Sequence, residues 1–173
     1  MPRSIVAIIP SRWNSTRFPG KALADLCGKP VLRHIVDHAR GLNGVSEVIV
    51  ATSHLSQPII DYCEGNGIRV YVGDEDDVLA RLCGAADSSG AEIVLRLWGD
   101  NPIDPYAYLV SVEKLKKANR EATQEQRNRW NNITEFELFP IIRQFIPNRD
   151  WSINTPADLR RAERYLGEAS QGS

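Results

Sequence analysis

Residues 4–10, Ser4-Ile5-Val6-Ala7-Ile8-Ile9-Pro10, are almost continuously apolar, and the chain leaves them through Ser11-Arg12-Trp13-Asn14-Ser15-Thr16-Arg17-Phe18-Pro19-Gly20-Lys21. A short run rich in Ile and Val, without polar alternation, fits a strand covered on both faces of a sheet. Residues 47–52, 69–72 and 92–97 read the same way. The segments between them carry helical spacing. Pro30 opens a helix on which Val31, Leu32, Ile35, Val36 and Ala39 share a face. Ser56 caps a second, carrying Ile59, Ile60 and Cys63 and ending at Gly65 or Gly67, and Asp76 caps a third with Val78, Leu79, Leu82 and Cys83 inward. Asp104 before Pro105 begins a fourth with Tyr108, Leu109, Val112 and Leu115. Strand and helix alternating at this spacing predict βαβ units: an α/β fold in three layers, α/β/α, around an open, mostly parallel sheet. Ligands of such sheets bind outside the carboxyl ends of the strands, which directs attention to the residues after Ile9, Ala51, Val72 and Leu97.

The 173 residues are 42% apolar and 25% charged, with 21 Lys and Arg against 22 Asp and Glu. The length suits a single domain, here taken as residues 1–166, followed by a disordered tail at 167–173. A net charge of -1 gives no general reason to bind nucleic acid or an anionic membrane. The longest apolar run is far short of a membrane span, and no signal peptide is visible, so a cytoplasmic location is the default expectation. Cys27, Cys63 and Cys83 form no CxxC pair, and each falls where a small buried hydrophobe is expected.

The last third is less regular. Residues 114–129 are strongly polar and read as a solvated helix end or a loop. Phe136, Leu138, Phe139, Ile141, Ile142 and Phe145 return apolar mass. Thr155-Pro156-Ala157-Asp158 is a helix start in which Thr155 caps, Pro156 takes the first position and Asp158 completes a capping box.

Up to Lys21 the chain carries Arg3, Arg12, Arg17 and Lys21 and no acid. A long loop at a strand's carboxyl end with two guanidiniums, an ammonium, hydroxyls and Gly20 suits a phosphate: Arg forks engage oxygens in pairs, and backbone N–H groups can form a nest. The competing reading is a basic surface loop paired with the acidic middle of the chain, where residues 51–110 hold ten acids against three arginines. Asp100 lies just after the fourth strand, either as a magnesium-binding carboxylate or as a turn residue of Gly99-Asp100-Asn101-Pro102. Asp104 reads as a helix cap. His34 and His38 share an exposed helical face, His54 follows the second strand, and Trp13 either stacks on a ligand or covers its own loop.

Ile8-Ile9-Pro10-Ser11-Arg12, then Ser15-Thr16-Arg17, Pro19-Gly20-Lys21, Leu23 and Gly28-Lys29-Pro30-Val31-Leu32, resemble the nucleotide-binding signature of the cytidylyltransferases that make CMP-activated sugars such as CMP-Kdo and CMP-sialic acid. Gly73, Asp77-Val78-Leu79 with Arg81, Arg96 with Gly99 to Pro105, and Trp151 to Leu159 are similar to further motifs, most of all in the spore coat polysaccharide biosynthesis protein F branch. The resemblance implies a nucleotide-diphospho-sugar transferase-like, Rossmann-like fold. It also implies CMP transfer from CTP to an acidic sugar with release of pyrophosphate, for surface polysaccharide synthesis. By the same resemblance Arg12, Lys21 and Asp100 are catalytic, while Ser11, Arg12, Ser15, Arg17, Gly20, Lys21 and Arg81 bind the nucleotide. Mg²⁺ is the implied cofactor, on Asp100 and Asn154, and a homodimer the implied assembly. Asn154 stands where the family's closing motif carries an Asp, so a full negative charge is missing there. The stretch that builds the sugar pocket and dimer contact, about residues 106–150, is shorter than in relatives. These two departures motivate an alternative, a non-catalytic nucleotide-binding relative acting as partner or regulator. A nucleotidyltransferase with a non-sugar acceptor is a third reading.

Overall fold

Along β1 (Ile5–Pro10) successive side chains enter opposite halves of the core: Ala7 and Ile9 on one face, Val6 and Ile8 on the other, all four inaccessible to solvent. That two-sided burial is why the strand reads as an unbroken apolar run. The computed structural model describes residues 4–129, 143–145 and 149–171. In chain order, β1 is followed by a small hairpin, β2 (Asp25–Leu26) and β3 (Lys29–Pro30), then α1 (Val31–Arg40), β4 (Val45–Ser53), α2 (Gln57–Gly65), β5 (Arg69–Gly73), α3 (Val78–Ser89) and β6 (Ile93–Leu97). β7 (Ala107–Ser111), α4 (Val112–Glu121), α5 (Gln124–Arg129), β8 (Arg143–Phe145) and α6 (Pro156–Gln171) complete it.

The main sheet has the order β5-β4-β1-β6-β7-β8. β1 pairs in parallel with β4 and with β6, Ile8 lying opposite Ile49 and Arg96, whereas β7 and β8 run antiparallel. Side chains of α1, α2 and α6 cover one face with Ile9, Val50, Leu95 and Leu97. Those of α3 and α4 cover the other with Ile8, Ile49, Val94 and Val110. Each fully buried aliphatic side chain in these layers contributes about 1.5–3 kcal/mol. No helix among the described residues is long and apolar enough to cross a membrane.

Several local expectations are corrected. Residues 107–111 form a strand instead of the first turn of a helix: Tyr108 and Val110 face one layer and Ala107 the other, so period-two burial wins over the Asp104-Pro105 start. The helix begins only at Val112, where the Ser111 hydroxyl accepts from Lys114 N; Asp104 is therefore not its cap. Asp77, not Asp76, caps α3 by accepting from Ala80 N at 2.8 Å. Ser56 precedes α2 without a capping bond, because its hydroxyl accepts from Trp13 N instead. Cys63 and Cys83 are buried, with thiols pushed up by burial to about 11 and about 12, but Cys27 is exposed at φ 54° in the hairpin turn with Gly28. Of the two readings of the polar stretch the helical one holds, and Arg127 of α5 donates to Asp77 Oδ2 at 2.7 Å and to Asn119 Oδ1 at 2.8 Å. Gly167–Gln171 continue α6, since the capping box starts a helix that the good helix formers Glu168 and Ala169 extend. Phe136, Leu138, Phe139, Ile141 and Ile142 lie outside the described residues.

The chain moves outward from β1 to β4 and β5, then α3 carries it back to β6 on the other side of β1. The sheet's switch point therefore lies between the carboxyl ends of β1 and β6. There the backbones crowd: a Cβ on Gly99 would stand 2.3 Å from Pro10 O. Gly99→Ala is expected to lower stability by about 2–3 kcal/mol in urea unfolding; an unchanged midpoint and slope would contradict this packing.

Candidate active site

Three segments remote in sequence meet at this switch point: residues 11–21 after β1, residues 98–101 after β6, and residues 150–154 before α6. Their junction is Lys21, placed by a short 3-10 turn, Lys21–Leu23. Its ammonium lies 3.1 Å from Asp100 Oδ2 and donates to Ile153 O at 2.8 Å and to Asn154 Oδ1 at 3.4 Å. Arg17 Nη2 donates to the same Asn154 oxygen at 2.8 Å. The side chains of Lys21 and Asp100 are 15% and 26% exposed, partly withdrawn from water yet open to a ligand.

Arg17, Lys21, Asp100 and Asn154 line a cleft of about 410 Å³ together with Ser11, Arg12, Ser15 and Arg81. Five cationic side chains and one carboxylate, Asp100, face it, a balance that favours a polyanion. Asp100 Oδ1 is buried without a hydrogen-bond partner among the described residues.

The expected site residues thus come together, with two exceptions of role. Gly20 shapes the loop: at φ 73° it packs against the Trp13 ring, where a Cβ would come within 2.9 Å, and it is absent from the cleft lining. Trp13 accordingly covers its own loop, its carbonyl accepting from Ser15 N and Gly20 N. Arg81 reaches the cleft wall, but its Nη1 donates to the carbonyls of Asp74 and Glu75 at 2.5 and 2.7 Å. Burial, then the neighbouring Arg12 charge, lowers the Arg81 pKa from its ordinary value. Neither His34, bonded to Leu26 O, nor exposed His38 and His54 joins a metal cluster, and none is found among the described residues.

Arg96, Trp98, Thr16 and Ser152 also line the cleft. Arg96 is 4% exposed, its guanidinium 3.6 Å from the centre of the Trp98 ring. A charged residue inside the apolar run Ile93-Val94-Leu95-Arg96-Leu97 was the available signal for it. The Ile153 carbonyl carried none, being backbone.

A family model described as Cytidylyltransferase matches residues 6–139. The chain belongs to the cytidylyltransferase family. The 3-deoxy-manno-octulosonate cytidylyltransferase of Geobacter sulfurreducens (strain ATCC 51573 / DSM 12127 / PCA) is 40% identical over 102 residues, covering 58% of this chain and 40% of that protein. The chain thus spans about two fifths of that curated relative's length. The protein of the same name from Anaeromyxobacter sp. (strain K) is 36% identical over 177 residues, covering 98% of this chain and 72% of its own length. Among solved structures, a cytidylyltransferase from Leptospira borgpetersenii serovar Hardjo-bovis (strain JB197) superposes with TM-score 0.79 at 17% identity over 96% of this chain and 87% of the other. A CMP:2-keto-3-deoxy-manno-octonic acid synthetase complexed with CTP gives 0.75 at 19% identity, covering 96% and 99%. At these identities the two structures establish the family fold.

The third segment is fixed by the α6 capping box. Asp158 Oδ2 accepts from Asn154 N at 3.1 Å, Thr155 N at 2.9 Å and Thr155 Oγ1 at 2.8 Å, and Asp158 N donates to Thr155 Oγ1 at 3.3 Å. Burial alone would raise the Asp158 pKa; the Thr155 and Asn154 bonds outweigh it and hold the group below its ordinary 3.8. A lowered folded pKa means that the unfolded chain binds the proton more readily. The contribution is therefore present above about pH 4 and lost as pH falls through the folded value. The gap in melting temperature between wild type and Asp158→Asn should shrink as pH falls from 7 to 2.5; a constant gap would contradict the charge's role.

Proposed function

We propose that the chain moves CMP from CTP to a hydroxyl of an acidic sugar of the 3-deoxy-manno-octulosonate class, releasing pyrophosphate, for surface polysaccharide synthesis. The observation that carries this reading is the cleft at the β1–β6 switch point, where Lys21 meets Asp100 and cationic side chains outnumber the carboxylate. The relative from Anaeromyxobacter, similar over 98% of the chain, supports the choice of nucleotide and sugar. The motif wording adds the spore coat polysaccharide branch.

In this reaction a sugar hydroxyl oxygen bonds to the α-phosphorus of CTP, the bond from that phosphorus to the bridging oxygen of pyrophosphate breaks, and the hydroxyl proton is lost. Such a transfer asks for positioning and charge compensation. Arg12 and Lys21 offset the phosphate charge from opposite parts of the loop, with Ser11, Ser15 and Arg17 as further donors. Arg81 holds the turn after β5. Lys21 also ties the loop to Asp100 and Ile153, so the cationic groups need little rearrangement on binding.

Mg²⁺ fits this donor set through one oxygen. Asp100 Oδ1, buried and without a hydrogen-bond partner among the described residues, is the carboxylate oxygen left for another ligand. Asn154 suits it poorly, because its Oδ1 already accepts from Arg17 and Lys21. When bound, the ion would neutralise phosphate charge. The reading extends to a homodimer, to a cytoplasmic location and to no nucleic-acid or membrane partner.

Pyrophosphate release from CTP, Mg²⁺ and a panel of acidic 2-keto sugars tests it. Wild type should turn over, and Lys21→Ala should lose about 10²-fold in kcat/KM. Turnover by Lys21→Ala at the wild-type rate would remove the assignment, and CTP binding without any turnover by wild type would favour the non-catalytic alternative.

A further inference from the structure

Resting on the proposed nucleotide reading, the geometry points to Glu75 as a positioning residue that presets Arg12 for the phosphates through a closed ring of contacts. Glu75 lies in the turn between β5 and α3. One carboxylate oxygen, Oε1, is 3.7 Å from Arg12 Nη1; the other, Oε2, accepts from Ser53 Oγ. Ser53 Oγ lies 3.2 Å from Ser56 Oγ, and Ser56 Oγ accepts from Trp13 N at 2.9 Å. Trp13 follows Arg12 in the chain, so the ring closes on the residue where it began. Ser53 and Ser56 are fully buried and the Glu75 side chain is 15% exposed, so water competes little for these bonds.

Both ends of Arg12 are thereby governed. Its backbone direction is set by Ser56 through the neighbouring amide, and its guanidinium is drawn toward Glu75. The second acid near it, Asp76, is 3.8 Å away with a side chain 90% exposed, which makes it the weaker anchor. Glu75 in turn is held at its backbone, where the buried Arg81 takes the carbonyls of Asp74 and Glu75. This matters because Arg12 and Arg81 repel one another, as the lowered Arg81 pKa records after its burial. Without the Glu75 charge the exposed member of the pair, Arg12, would swing away from the cleft.

At 3.7 Å the contact is an ion pair longer than a hydrogen bond. It orients the guanidinium while leaving its N–H groups for phosphate oxygens, so a triphosphate need not break a tight bond to engage Arg12. Ser56 is thus withdrawn from the helix-capping role its sequence position suggests, and Ser53, at the end of β4, is buried with a use of its own.

The test is calorimetric titration of CTP into wild type, Glu75→Gln, Arg12→Ala and the double variant. Glu75→Gln keeps an acceptor for Ser53 and removes the charge; it should weaken CTP about three- to tenfold. In the Arg12→Ala background the same change should cost nothing further, an outcome that a general structural role for Glu75 would not give. Equal or tighter binding by Glu75→Gln, or losses that add in the double variant, would overturn the inference while leaving the nucleotide reading standing. A wild type that binds no CTP would overturn both. If Glu75→Gln does not fold, Ser53→Ala, which frees the carboxylate without changing charge, carries the same expected weakening and the same contradiction.

Discussion

The contact between Lys21 and Asp100 joins the loop leaving one central strand to the turn leaving its neighbour. It exists because the topology puts β1 and β6 side by side and sends their connections apart, and because Gly99 lets the two backbones approach. As a source of stability such a partly buried pair, still reached by water, is modest. Its consequence is geometric. With Ile153 O as a second acceptor, the ammonium fixes where the basic loop ends, and it shares the Asn154 oxygen with Arg17 on the wall of the cleft.

Around that contact, the walls of the cleft are braced by polar groups whose hydrogen bonds go to the protein itself. Asp158 secures the segment carrying Ile153 and Asn154. Arg81 and Asp74 shape the acidic turn, Asp74 accepting from Asp76 N and Asp77 N and Arg81 donating to two of its carbonyls. Asp77 both caps α3 and receives Arg127, tying the far helix to the same turn.

Much of this was legible in sequence. The four parallel strands declared themselves because burial on both faces removes alternation, and the Thr155–Asp158 box because its spacing leaves few other uses. Lys21 and Asp100 lie in segments that leave the carboxyl ends of strands, where the sequence directed attention, and their roles were implied by the resemblance. What failed did so where two local signals competed. Asp104-Pro105 is good helix-start chemistry, yet the pairing of residues 107–111 with β6 decided otherwise. Ser56 sits where a cap belongs and serves Trp13 instead. Arg81 carries a charge suited to phosphate but spends its hydrogen bonds on backbone, something that only the fold of the β5–α3 turn determines. Family membership follows from the match over residues 6–139.

A co-crystal structure with CTP and Mg²⁺ tests the central claim most directly. The triphosphate should lie in the cleft between the β1 loop and Asp100, with oxygens within about 3 Å of Arg12 and Lys21. Nucleotide bound elsewhere on the molecule, or bound in the cleft with its phosphates turned away from both residues, would contradict the account.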